Sequence, residues 1–126
     1  MNNVKVALLQ LLPEENLQRN IAKGIKAVEK AAAMGADIAL FPEMWSCGYC
    51  FPQDKTALDS LAVSHESEYT KTFAKAARDN DIAVAVTYLM KNEQSGAPYN
   101  SVTLFDRHGK EMFTYSKVHT CDFGYE

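Results

Sequence analysis

The stretch Asp-Ile-Ala-Leu-Phe-Pro-Glu at residues 37–43 decides the fold of this chain. Its first part is short and apolar. Pro42 stops the run because proline supplies no amide hydrogen to a sheet and biases the preceding Phe41 to an extended conformation. This pattern predicts a buried strand at residues 37–41 that opens into a loop. A carboxylate, Glu43, stands at the start of that loop.

The segment before this strand predicts a first strand followed by a long helix. Apolar residues alternate over residues 4–10, which is typical of a strand. The apolar period then becomes helical, through Leu17, Ile21, Ile25, Val28 and Ala32. Glu14 and Glu15 lie near the positive end of this helix, and Gly35 is well placed to end it.

The segment after the central strand repeats the alternation of helix and strand. Residues 44–57 follow neither period and indicate a long ordered loop, of the kind that often carries function. A helix is predicted over 65–80 and a hydrophobic strand over 82–89. Strands at 101–105 and 111–116 flank a turn that contains a glycine. The predicted order is β-α-β-α-β-β-β, an α/β fold with active residues on loops at the strand ends.

Composition excludes several classes of function. The chain has 126 residues, 47% hydrophobic and 23% charged, which fits one globular domain, and no linker or repeat divides it. A net charge of -3 argues against nucleic acid or a membrane surface as a partner. The start shows no basic region followed by a long apolar run, so we expect a cytoplasmic protein. Its three cysteines are an odd number, which favours free thiols over a disulfide framework.

Two charged residues directly follow predicted strands. Glu43 stands between Pro42 and an apolar pair, where apolar surroundings would raise the pKa of its carboxyl group and suit it to accept a proton. Position alone is equally compatible with a solvated loop residue or a local cap. Lys117 follows the last strand, but most lysines simply face water. Position alone therefore leaves both interpretations open for Glu43 and favours the structural interpretation for Lys117.

Four short motifs resemble the nitrilase, or carbon-nitrogen hydrolase, superfamily. Phe-Pro-Glu at 41–43 resembles its first catalytic motif, and Tyr-Ser-Lys-Val-His at 115–119 resembles its second. Val-Ala-Leu-Leu-Gln at 6–10 is similar to its opening strand, and Tyr-Asn-Ser at 99–101 is similar to the tripeptide before its central hairpin. The order and spacing of all four fit. The resemblance runs from residue 4 to residue 126, and its specificity comes from the combination.

The resemblance implies a four-layer α-β-β-α sandwich of which only the first part is encoded here. Residues 1–126 would form a partial carbon-nitrogen hydrolase domain, truncated before the family's nucleophile segment. Apolar strand faces that the later half would cover are then expected to be exposed. The resemblance also implies possible homo-oligomers, because members of the family commonly associate through helices.

The family's catalytic roles carry over to three residues. Glu43 would be the general base, and Lys117 would be the cation that stabilises the developing oxyanion. A nearby glutamate and lysine also shift one another towards their charged forms, which we expect to outweigh the desolvation of Glu43. The family's second acidic residue corresponds best to Glu126, with Asp122 as the alternative.

The family's cysteine nucleophile has no counterpart in these 126 residues. In the family it lies well downstream of the lysine, whereas Cys47, Cys50 and Cys121 stand elsewhere. The reaction implied is hydrolysis of a small-molecule amide, carbamoyl compound or nitrile through a covalent thioester, without a cofactor. We therefore expect the isolated chain to be inactive.

Further residues of the two motif loops have a functional and a structural interpretation. Trp45 and Tyr49 in the aromatic loop, together with Phe51, could line an acyl-binding pocket or could anchor the loop on the core. His119, two residues after Lys117, could contact substrate or hydrogen-bond its own loop.

Two other functions compete with hydrolysis. Cys47, Cys50, His119 and Cys121 have the residue types and spacing of a zinc-binding module. A non-catalytic remnant or interaction module would instead retain the catalytic residues by descent alone.

Overall fold

The computed structural model describes residues 3–94 and 96–120, which form one mixed sheet and three helices. The elements in chain order are β1 (Val6–Leu8), α1 (Leu17–Ala33), β2 (Ile38–Leu40), α2 (Lys55–Leu61), α3 (Glu68–Asp79), β3 (Ala83–Met90), β4 (Tyr99–Phe105) and β5 (Glu111–Ser116). All the predicted strands and both predicted helices are confirmed, with ends displaced by a few residues.

The five strands lie side by side in chain order. β1, β2 and β3 are parallel, with Ala7 opposite Ala39 and Ala39 opposite Val84. β3, β4 and β5 are antiparallel. Parallel neighbouring strands need crossover connections, and α1 and α3 supply them. Both crossovers have the same handedness and move along the sheet in the same direction, so the two helices lie on the same face of the sheet. This order brings the ends of β2 and β5 to the same region only if the loops reach across β3 and β4.

The core fills the space between this sheet face and the two long helices. α1 contributes Val28, and α3 contributes Phe73, both fully buried. Phe41, just beyond β2, packs against Phe73 with ring centroids 5.0 Å apart. Trp45 lies 5.6 Å from Phe41 by the same measure. The aromatic loop after β2 is therefore fastened to the same core as the helices.

Local signals set the ends of α1. The side chain of Asn16 accepts a hydrogen bond from the amide of Arg19 at 3.0 Å and caps the helix start. Gly35 has φ of +73°, the left-handed conformation that ends many helices. The predicted end at Gly35 is confirmed.

The predicted loop over 44–57 is partly wrong, because residues from Lys55 onward form α2. The side chain of Asp54 caps this helix by accepting from the amide of Ala57 at 2.8 Å. None of the seven residues of α2 is buried, and a helix of seven residues is too short for its apolar spacing to establish a helical period. The observed order is β-α-β-α-α-β-β-β.

The sheet face opposite α1 and α3 is apolar and largely uncovered within the described part of the chain. Leu8 of β1 points away from the helices, since its neighbours Ala7 and Leu9 pack on the core. Phe113 and Tyr115 of β5 belong to the same uncovered face and are about half exposed. The expected exposure of strand faces is confirmed. Among the described residues, no helix combines the length and apolar character needed to span a membrane.

Gly24 tests the packing of α1 on the aromatic core. A Cβ built on Gly24 would lie 2.8 Å from a ring carbon of Phe73 and 2.9 Å from the indole nitrogen of Trp45. Gly24→Ala should gain about 1 kcal/mol of helix propensity. The overpacking costs about 1–3 kcal/mol. We therefore expect no gain, or a net fall, in the free energy of unfolding measured with urea.

Ala22→Gly, at an exposed position of the same helix, is the matched control. It should lower the free energy of unfolding by about 1 kcal/mol through propensity alone. If Gly24→Ala instead raised stability by that amount, the close packing around Gly24 would be refuted.

Candidate functional site

The turn that carries Glu43 is fixed to the neighbouring strand β3. The amide of Phe41 donates to the carbonyl of Ala85 at 3.1 Å, so the chain still follows β3 beyond the end of β2. Two residues further along β3, the hydroxyl of Thr87 donates to the carbonyl of Pro42 and accepts from the amide of Trp45 at 3.1 Å. One side chain thus holds the backbone on both sides of Glu43.

Two further features restrain the same turn. Met44 is fully buried and has φ of +60°, a conformation that non-glycine residues seldom adopt. The hydroxyl of Tyr69 donates to the carbonyl of Thr87 at 2.8 Å, which ties α3 to the strand that holds the turn. The direction of the Glu43 side chain is therefore set by buried contacts of its neighbours.

The structure brings Glu43 and Lys117 together from positions 74 residues apart. Lys117 follows β5, and its amide donates to the carbonyl of Asn100 in β4 at 2.8 Å. Its Nζ lies 3.0 Å from Oε1 of Glu43. The Nδ2 of Asn100 donates to the same oxygen at 2.6 Å. Three strands thus contribute to one polar cluster at this edge of the sheet.

The carboxyl group of Glu43 has a lowered pKa. Burial acts to raise the pKa, but hydrogen bonds from Asn100, Lys117 and Tyr49 and the charge of Lys117 outweigh it, so the pKa lies below the ordinary 4.5. The net direction agrees with the expected effect of the partner lysine, but Asn100 and Tyr49 contribute to it beside Lys117, and the rise predicted from apolar surroundings alone is not the net outcome. Glu43 is therefore ionised at neutral pH, although a lowered pKa makes it a weaker proton acceptor than the predicted raised pKa would.

The cluster is open to solvent. The side chain of Glu43 is 46% exposed and that of Lys117 is 29% exposed. An ion pair at such exposure contributes little to stability because water screens it. The arrangement therefore places a carboxylate and an ammonium group together at a surface that solvent reaches.

The three predicted substrate contacts occupy different environments. Trp45 is 1% exposed, and its indole nitrogen donates to the carbonyl of Asn20 at 3.1 Å, which matches the loop-anchoring interpretation. Tyr49 is half exposed, hydrogen-bonds Glu43 and packs edge-on against Phe51. His119 is exposed just beyond Lys117. Of the three, Tyr49 is the residue that the structure joins to the Glu43 cluster.

The remaining predicted residues of the site lie outside the described residues. Glu126, its alternative Asp122, and Cys121 all fall in the segment after residue 120.

The two described cysteines are not arranged as a nucleophile or as a metal centre. The Cys47 thiol donates to the carbonyl of Gly48 at 3.2 Å, and burial raises its pKa to about 11. Cys50 is exposed, and neither of the two forms a disulfide. Within residues 3–94 and 96–120, no three histidine, cysteine or acidic side chains are grouped to hold a metal ion. Cys47, Cys50 and His119 thus do not assemble the proposed zinc site.

Two cavities flank the turn but are not lined by the charged pair. One, of about 370 Å³, is apolar and lies at the ends of β1 and β2, beside Pro42. The other, of about 480 Å³, lies between the start of α1, the loop with Cys47 and Cys50, and α2. Glu43 and Lys117 line neither of these two cavities.

Two residues of the site had no role in the sequence analysis. Asn100 belongs to the Tyr-Asn-Ser motif, which marked the start of the central hairpin but did not predict the contact between Asn100 and Glu43. Thr87 lies in a hydrophobic strand and gave no signal at all. Its partners are 42 and 45 residues away, beyond the reach of any local pattern.

Curated relatives and solved structures resemble this chain over almost all of its length. The citrullinase of Francisella tularensis is 33% identical over 128 residues, which cover 100% of this chain and 44% of that protein. The N-carbamoylputrescine amidase of Arabidopsis thaliana is 28% identical, over 94% of this chain and 40% of that protein. The chain thus spans less than half the length of these curated relatives.

The fold matches that of a solved structure. The crystal structure of the C. elegans NitFhit protein superposes with a TM-score of 0.80 at 21% identity, over 94% of this chain and 28% of that one. The family model for carbon-nitrogen hydrolases matches residues 5–126. The chain therefore belongs to the carbon-nitrogen hydrolase family.

Proposed function

We propose that this chain supplies the general base, Glu43, and the oxyanion-stabilising cation, Lys117, of a hydrolase that cleaves carbon-nitrogen bonds through a thioester. The observation that carries the proposal is the 3.0 Å contact between Lys117 Nζ and Glu43 Oε1. It joins the ends of two separate strands at an exposed edge, where a substrate and a thiol could both reach it.

The chemistry divides into steps that suit these two groups. Ionised Glu43 accepts the proton of a thiol, and the thiolate forms a bond to the carbonyl or nitrile carbon. Lys117 stabilises the negative charge that develops on the former carbonyl oxygen, or on the nitrile nitrogen. For an amide, the carbon-nitrogen bond then breaks and the leaving amine takes the proton from Glu43. The same carboxylate then takes a proton from water, whose oxygen bonds to the thioester carbon. The carbon-sulfur bond breaks, the acid product leaves, and the thiolate takes the proton back from Glu43.

The thiol in this proposal comes from outside these 126 residues. Cys47 is directed at the Gly48 carbonyl, and a pKa of about 11 leaves almost none of it as thiolate at neutral pH. It lines the 480 Å³ cavity rather than the Glu43 cluster. A polypeptide of these residues alone is therefore proposed to be inactive.

The proposed substrates are small amides, carbamoyl compounds or nitriles. The support is the family and the names of relatives, which include a citrullinase, an amidase that acts on N-carbamoylputrescine and a nitrilase. We propose no metal or other cofactor for the reaction, because a thiolate, a base and a cation complete it.

The uncovered sheet face has a proposed role in the same protein. Leu8, Phe113 and Tyr115 present apolar area that a further layer of structure would bury. In a polypeptide of these residues alone, we propose that this face drives association between copies.

A joined protein tests the catalytic proposal. Residues 1–126 are fused to the part of the Francisella tularensis citrullinase that follows its matching segment, and hydrolysis of a panel of small amides, ureido compounds and nitriles is measured. We expect turnover by the fusion and none by residues 1–126 alone. Glu43→Gln and Lys117→Ala should each lower kcat/KM by roughly 100-fold or more, the usual effect of losing a general base or an oxyanion donor.

Glu66→Gln and Lys110→Ala, at exposed positions away from the cluster, are the matched controls and should retain full turnover. Turnover by residues 1–126 that disappears in Glu43→Gln would contradict the need for an external thiol. A folded fusion whose activity survives both Glu43→Gln and Lys117→Ala would refute the proposed roles.

Sedimentation velocity tests the uncovered face. The sedimentation coefficient of the 126-residue polypeptide should rise with concentration, and Phe113→Lys should reduce that rise because a charge opposes burial of the face. Met34→Lys places the same charge at an exposed apolar residue beyond α1 and should leave association unchanged. Equal association of both variants and the unmodified chain would exclude this face.

A further inference from the structure

Asn100 connects both charged residues of the cluster. It lies in β4, is 7% exposed, and donates from Nδ2 to Glu43 Oε1 at 2.6 Å. Its own carbonyl accepts the amide of Lys117 at 2.8 Å. The side chain of Asn100 therefore fixes the carboxylate, and its backbone fixes the start of the lysine loop.

The orientation of the Asn100 amide follows from chemistry. An ionised carboxylate only accepts hydrogen bonds, so the NH₂ group of Asn100 must face Glu43, since its carbonyl oxygen there would be repelled. The opposite flip would also leave a nearly buried amide without its acceptor. Asn100 is thus an uncharged donor, which can hold the carboxylate of Glu43 in place without replacing its ion pair with Lys117.

Counting lone pairs separates the two oxygens of Glu43. Each carboxylate oxygen offers about two acceptor sites. Asn100 Nδ2 and Lys117 Nζ both engage Oε1 and together use those two sites. The hydrogen bond from Tyr49 adds one more donor to the carboxylate. Whichever oxygen accepts it, the contacts among residues 3–94 and 96–120 leave Oε2 at least one open site.

We infer that Asn100 is a positioning residue which, with Lys117, occupies Oε1 of Glu43 and leaves Oε2 as the oxygen that exchanges protons during the reaction. The inference rests on the proposed function for the reaction itself. The hydrogen-bond geometry on which it depends can be tested without any turnover.

A second consequence concerns the ionisation state of the base. Removal of the Asn100 donor leaves desolvation less opposed, so the pKa of Glu43 must rise. An aspartate at position 100 would remove the donor and add a like charge, which raises the pKa of Glu43 further. A residue that only filled space in β4 would produce neither effect.

The experiment is an NMR titration of the unmodified 126-residue chain and its variants. The side-chain ¹³C carboxyl shift of Glu43, assigned by its loss in Glu43→Gln, gives the pKa of that group. We expect it to be higher in Asn100→Leu and higher again in Asn100→Asp. Asn80→Leu removes another asparagine, which donates to the carbonyl of Ala76, and should leave the pKa of Glu43 unchanged.

A second readout leaves Asn100 in place and so does not depend on folding of the Asn100 variants. The side-chain amide signals of Asn100 should shift with pH at the midpoint of Glu43, and this shift should vanish in Glu43→Gln. An unchanged Glu43 midpoint in folded Asn100→Leu, or amide signals that ignore the ionisation of Glu43, would overturn the inference. Either result leaves the proposed hydrolysis standing, since that is tested separately by the activity of the fusion.

Discussion

One carboxylate oxygen organises the site. Oε1 of Glu43 accepts hydrogen bonds from the side-chain amide of Asn100 on β4 and from the ammonium group of Lys117 beyond β5. The backbone just before Glu43 is held by the hydroxyl of Thr87 on β3. Each donor arrives from a different strand, so the cluster exists only when all of them are in register. The sheet order places β3 and β4 between β2 and β5, so the loops that carry Glu43 and Lys117 must reach across them.

Two opposing effects act on the pKa of the Glu43 carboxyl group. Partial burial disfavours the carboxylate, yet three hydrogen bonds and one positive charge lower its pKa below the ordinary value. A carboxyl group whose pKa is lower in the folded than in the unfolded chain stabilises the fold at neutral pH. That contribution is lost as the pH falls through the folded-state pKa of Glu43. The contacts that keep Glu43 ionised therefore also make a small contribution to the free energy of unfolding, and this contribution is lost in acid.

The spacing of apolar residues, together with the glycine and proline that end helices and strands, predicted much of the fold. The apolar stripe and Gly35 located α1, and Pro42 located the end of β2, because each acts through local backbone physics. α2 escaped prediction because its seven residues are too few to establish a helical period. The motif match placed Glu43 and Lys117, but it could not show that Asn100 and Thr87 hold them. Those contacts span between 42 and 57 residues and arise only when strands pair.

The chain belongs to the carbon-nitrogen hydrolase family, and it holds a carboxylate and an ammonium group in contact at the exposed edge of one sheet. The central claim is that Glu43 is held ionised there by its neighbours. A ¹³C titration of the Glu43 carboxyl group in the unmodified chain tests it most directly. The account predicts a midpoint below 4.5. A midpoint at or above that value would show that burial prevails over the contacts from Asn100, Tyr49 and Lys117, and would contradict the account.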